Sequence, residues 1–131
     1  MAQRTHTNPN KMTVIVRLGT RVMLGDGVRL GTRVMLGDGV RLGDGVELGT
    51  PGSPYWCAGR DPRGYEVIGY LRADMLRVIA GCRDFTVEDA KAHWSDPGHQ
   101  NPDAAADILL KIAYLEAACR RFRDIAAKGE S

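Results

Sequence analysis

Between residues 12 and 50 the apolar positions recur with a period of six. Leucine stands at Leu18, Leu24, Leu30, Leu36, Leu42 and Leu48, glycine follows each one, and valine precedes each by two places, from Val16 to Val46. Such a period fits neither an α-helix nor the simple alternation of a strand, so a repeated turn must generate it. Within each unit, Val-x-Leu forms a short strand whose two apolar side chains share one face. The next three residues turn a corner. Gly27, Gly39 and Gly45 each follow an aspartate there, where glycine takes a positive φ without steric cost. Three strands and three corners close a triangular coil of 18 residues, and successive coils stack in parallel.

Residues 18 apart should then lie above one another: Arg17 over Met35, Met23 over Arg41, and Arg29 over Glu47. At the corners Asp26 would stack on Asp44, both read as solvated turn residues. The array resembles the hexapeptide pattern of left-handed β-helices, and the fold it implies is mainly β: a short left-handed parallel β-helix capped by an α+β tail. Little more than two coils are present, so both open ends call for a cap or a partner.

The rest of the chain divides around this array. Residues 1–11 read as a flexible arm ending at Asn8-Pro9-Asn10, residues 12–54 as the repeats, closed by Pro51, Gly52, Ser53 and Pro54, and residues 55–131 as the cap. Tyr55-Trp56-Cys57 offers aromatic bulk to cover the last coil. Glu66–Leu71 and Met75–Ala80 read as a hairpin across Arg72-Ala73-Asp74; a single helix is the alternative, at a cost for Gly69. Thr86 and Asp89 form a capping box for a short helix from Val87 to about Trp94. After Asn101 as cap, Pro102 opens a longer helix to about Ala127, stopped by Gly129. Its apolar residues Ile108, Leu109, Ile112, Leu115, Cys119, Phe122 and Ile125 form one stripe, suited to a core or an oligomer face.

Composition narrows the function classes. The chain has 131 residues, 44% hydrophobic and 26% charged, with a net charge of +2. That balance describes a soluble globular chain and is too small to imply a polyanionic partner. The polar start and the lack of a long apolar run predict neither a membrane span nor a secretory signal. Cys57, Cys82 and Cys119 are sparse and unpaired in pattern, which favours reduced thiols in a cytoplasmic setting.

One segment of the tail is distinctive. Gly81-Cys82-Arg83-Asp84-Phe85-Thr86, followed by Ala90, His93 and Trp94, resembles a segment of small bacteriophage and prophage proteins. In those proteins hexapeptide repeats are likewise followed by Gly-Cys-Arg-x-Phe-Thr and a helix ending in His-Trp. The resemblance implies an accessory protein of a mobile element, acting in the host cytoplasm or with the virion, and assigns no catalytic residue.

The histidines and thiols delimit the candidate chemistry. Hexapeptide acyltransferases place a histidine between neighbouring β-helices, and hexapeptide zinc hydratases converge three histidines on one metal. Here His6, His93 and His99 all lie off the rungs, so no metal or cofactor is expected. The best enzyme constellation is Cys82 as nucleophile, with Arg83 and a helix start to lower its pKa and His93 as base. For nucleic acid, Arg17, Arg29 and Arg41 fall on different faces instead of one stripe. These residues predict an interaction protein without catalytic activity, self-assembling as a homotrimer through its flat faces and the exposed Met23 and Met35. Cys82, Arg83, His93 and Trp94 would form its specific surface. The alternative is a small enzyme, using Cys82 and His93 or an acyltransferase cleft.

Overall fold

A computed structural model describes residues 2–81 and 83–129. The repeats form β2 (Thr13–Leu18) and five two-residue strands, β3 (Met23–Leu24), β4 (Arg29–Leu30), β5 (Met35–Leu36), β6 (Arg41–Leu42) and β7 (Glu47–Leu48). Parallel pairing joins residues 18 apart: Arg17 with Met35, Met23 with Arg41, and Arg29 with Glu47. These are the pairs the period predicts, and Arg29 and Glu47 form an ion pair at 3.5 Å. Valines and leucines of the rungs, from Val28 to Leu48, are buried together. The stacked aspartates do more than face solvent. Asp44 Oδ1 accepts from the Asp26 amide at 2.7 Å, and Asp38 Oδ1 from the Thr20 amide at 2.8 Å, so each corner satisfies a donor in the turn beneath it.

These ladders do not amount to the left-handed parallel β-helix that the sequence led us to expect. The sheets are small and mixed: β3-β6 and β4-β7 have two strands each, and the largest sheet is four-stranded and antiparallel. Six hexads supply two strands per face, so parallel pairing stops after one step and cannot dominate the architecture. The fold is a set of mixed sheets with two helices.

The flexible arm is a second correction. Ala2–Thr7 is strand β1, antiparallel to β2 from Ala2↔Leu18 to Thr7↔Thr13, giving the order β1-β2-β5. Asn8 turns the hairpin and is buried. Its Nδ2 donates to the Leu30 carbonyl at 2.9 Å and its Oδ1 accepts from the Leu30 amide at 2.8 Å. One amide side chain thus replaces the missing neighbour of an open rung.

The four-stranded sheet runs β11-β10-β9-β8, with β8 (Tyr55–Arg60), β9 (Glu66–Arg72), β10 (Met75–Ala80) and β11 (Arg83–Thr86). Residues 66–80 are therefore a hairpin, and its period-two alternation makes it the middle layer. Ile68, Tyr70 and Ile79 join the core of the repeats, while Val67, Val78 and Ala80 face the helices. Gly69 makes room for the second layer, since a Cβ there would meet Leu115 Cδ2 at 3.0 Å.

Helix α1 (Val87–Trp94) is capped by Thr86, which accepts from the Asp89 amide at 3.2 Å. Helix α2 (Pro102–Gly129) is capped by Asn101, which accepts from the Ala104 amide at 3.1 Å. Its stripe residues Ile108, Ile112, Leu115 and Cys119 are buried, while Ile125 is half exposed. Most of the stripe is spent within the chain, which removes that argument for a trimer. The expected aromatic cap is divided: Tyr55 packs on the repeats and its hydroxyl accepts from the Met35 amide at 3.0 Å. Trp56 turns the other way and meets Phe122 edge-on at 5.9 Å. Among the described residues no helix is long and apolar enough to cross a membrane.

Candidate anion-binding site

The site begins with a departure from the repeat. Where the corners carry Gly27, Gly39 and Gly45 at φ of 73°, 78° and 72°, two other corners carry Arg21 and Arg33 at φ of 60° and 65°. An L-residue held there costs about 1–2 kcal/mol. Arg21 lies 18 residues before Gly39, directly in register with it. Gly39 has no such latitude, because a Cβ at that position would overlap the Tyr65 ring.

Tyr65 sits just before β9, with Gly39 on one side and Gly81, whose added Cβ would lie 3.6 Å from the ring, on another. Two guanidinium groups stand over that ring, Arg21 at 5.4 Å from the centroid and Arg63 at 5.3 Å. Arg63 is fixed from behind by Asp61, whose side chain is fully buried. Asp61 Oδ2 accepts from Arg63 Nε at 3.0 Å and Nη2 at 2.6 Å. Its Oδ1 accepts from the amides of Arg63 at 2.8 Å and Tyr65 at 3.2 Å. One carboxylate therefore shapes the turn and aims the arginine. Of five guanidinium N–H groups, two are committed and three remain for a ligand.

Arg21, Arg41, Arg63 and Arg83 all line one cavity of about 280 Å³, together with Tyr65 and Gly81. A second cavity of about 410 Å³ shares Arg63 and Arg83 with it and adds His93, Trp94, Asp96 and His99. The two form one trough across the junction of repeats, β11 and the loop after α1. Among the described residues, only Arg63 of the four arginines is ion-paired with a carboxylate.

The imidazoles complete the site. The rings of His93 and His99 lie 5.3 Å apart, edge to face. Burial first, then the charge of Arg83 and contact with His99, hold His93 below the ordinary histidine pKa, with Asp96 pulling the other way and Arg63 adding to the decrease. His99 Nδ1 accepts from the Asn101 amide at 3.1 Å, which leaves its proton on Nε2 when the ring is neutral. The arrangement suits an anion: arginines that carry permanent charge, and beside them His93, whose protonated form an anion favours.

Of the residues expected at the specific surface, Arg83, His93 and Trp94 do meet in one cavity. Arg83 is exposed, His93 half-buried and Trp94 buried, edge-on to Phe85 at 5.4 Å. Trp94 therefore supports the wall instead of offering a free face. Cys82, candidate for both binding and nucleophilic roles, lies outside the described residues. The other thiols are not activated. Cys57 is pushed up to about 12 by desolvation of its sulfur and by Glu66, and Cys119 is raised by burial. Among the described residues no cluster of three metal-ligating side chains occurs.

A cavity of about 550 Å³ opens between α1 and α2, where Glu88, Glu116 and Asp124 balance Lys91, Arg120 and Arg123. Lys91 pairs with Glu116 at 2.9 Å, and Arg123 Nη2 donates to the Asp74 carbonyl at 2.6 Å. The trough has the greater unbalanced charge.

Sequence reasoning missed Arg21, Arg41, Arg63, Tyr65 and His99. A signal existed for Arg21: arginine stands where the neighbouring corners demand glycine. For Arg63 and Tyr65 none did, because their placement depends on the buried Asp61. No family model, curated protein or solved structure matches the chain.

Proposed function

We propose that the chain is a non-catalytic interaction module whose ligand carries a compact anionic group, phosphate being the chemistry that fits best. The observation that carries this reading is the convergence of Arg21, Arg41, Arg63 and Arg83 on one trough, where only Arg63 has a carboxylate partner among the described residues. Like charges gathered without counter-charges repel one another, and a bound anion relieves that repulsion. The net charge of +2 understates the local field because carboxylates elsewhere balance the sum. An accessory role in a mobile element is the biological setting we attach to this function, on the resemblance of the tail alone.

Calorimetric titration of the full chain with inorganic phosphate tests the proposal. We expect saturable one-site binding at low salt, weakened at least tenfold by Arg83→Ala, since Arg83 borders both halves of the trough. Binding that is unaltered in this variant would contradict it.

A further inference from the structure

The two cavities of the trough are separate spaces with a shared wall. Arg63 and Arg83 line both, Arg21 and Arg41 line only the first, and His93 and His99 line only the second. Each space therefore has its own cationic or chargeable pair plus two shared guanidinium groups, whose forked donors can serve an acceptor on either side. A single phosphate would occupy one space and leave the other pair uncompensated.

Aromatic recognition is not on offer in the same trough. The Tyr65 ring is occupied by Arg21 at 5.4 Å and Arg63 at 5.3 Å, and Trp94 is buried against Phe85 and His93. Single-stranded nucleic acid relies on free stacking platforms as well as on backbone charge. The charge is present here and the platform is not.

We infer that the trough holds a linear diphosphate group, one phosphate in the Arg21/Arg41 space and the next in the His93/His99 space, with Arg63 and Arg83 bridging them. This rests on the anion-binding reading above and refines it. The diphosphate could belong to free pyrophosphate or to the tail of a nucleoside diphosphate, and the recognised chemistry is the same. Asp96 also lines the second space and limits its positive charge, which favours a chain of two phosphates over a longer, more negative one.

The experiment compares inorganic phosphate, pyrophosphate, ADP and a thymidine oligonucleotide by calorimetry on the full chain at fixed ionic strength. We expect pyrophosphate to bind at least tenfold more tightly than phosphate, with ADP close to pyrophosphate and the oligonucleotide weaker than both. Arg41→Ala and His99→Ala, each confined to one space and neither at a buried position, should each weaken pyrophosphate binding more than phosphate binding and so remove most of the pyrophosphate advantage. Phosphate and pyrophosphate binding equally would overturn the two-space inference and leave the anion-binding reading standing. Tighter binding of the oligonucleotide would overturn the inference in favour of nucleic acid. Failure of all four ligands to bind would remove both.

Discussion

Asp61 and Arg63 are bound to each other through two hydrogen bonds, at 2.6 and 3.0 Å, with the carboxylate fully buried and the guanidinium reaching the trough. The pair connects stability to function, because the same carboxylate also holds the Arg63 and Tyr65 amides. Asp61→Asn keeps the shape and removes the charge, leaving donors poorly matched in a buried place. We expect a loss of about 1–3 kcal/mol, read as a drop of several degrees in thermal midpoint. An unchanged midpoint would show that Asp61 does not organise this turn.

Arg21 and Arg33 share a left-handed backbone but not a location. Replacing either with glycine relieves the same strain and should stabilise the fold by up to about 1 kcal/mol. Only Arg21→Gly takes a cation from the trough, so only that variant should weaken phosphate binding, by several fold. The comparison needs a thermal melt and a titration on each variant. Equal loss of affinity in both would mean that general surface charge, not the trough, binds the anion.

The glycines after each leucine make a similar pair. A Cβ at Gly31 would overlap the backbone of Gly49, whereas Gly43 has nothing within 4 Å of that position. Gly31→Ala should therefore cost about 1–3 kcal/mol, with Gly43→Ala close to neutral. Denaturant midpoints of the two variants check this directly.

His93 gives the site a pH dependence whose sign follows from its environment. Its folded pKa lies below the unfolded value of about 6.5, owing to burial, Arg83, His99 and Arg63, against the opposing pull of Asp96. Without ligand, stability is therefore complete above that unfolded value and declines as pH falls through it. An anion favours the protonated ring, so affinity should rise over the same range. Sulfate is the suitable probe because its own charge stays constant there. Affinity that is flat with pH, or that falls on acidification, would place His93 outside the site.

The pairing of strands was legible because a period of six fixes register without any knowledge of the tail. Arg29 beside Glu47 could be written down from the sequence and is found there. What the period could not convey was proportion: two strands per face do not make a β-helix the dominant architecture, and the sheet built by β8 to β11 is larger. Nor could it show that Asn8 would occupy an open rung, since the 22-residue separation from Leu30 obeys no repeat. Of the site, Arg83 and His93 were readable from their company in the tail. Arg21 was marked only by standing where a corner takes glycine, Arg41 was hidden among other regularly spaced arginines, and their meeting with Arg63 depends on the Asp61 turn, a tertiary event without a local signature.

The most direct test of the anion-binding trough is a two-dimensional NMR titration of the isotope-labelled chain with inorganic phosphate, following backbone amides and arginine side-chain signals together. We expect saturating shifts confined to Arg21, Arg41, Arg63, Tyr65, Gly81, Arg83 and the segment from His93 to His99, with Arg17, Arg29 and Arg120 unmoved. Shifts spread evenly over all the arginines, or none at the trough at saturating phosphate, would contradict it.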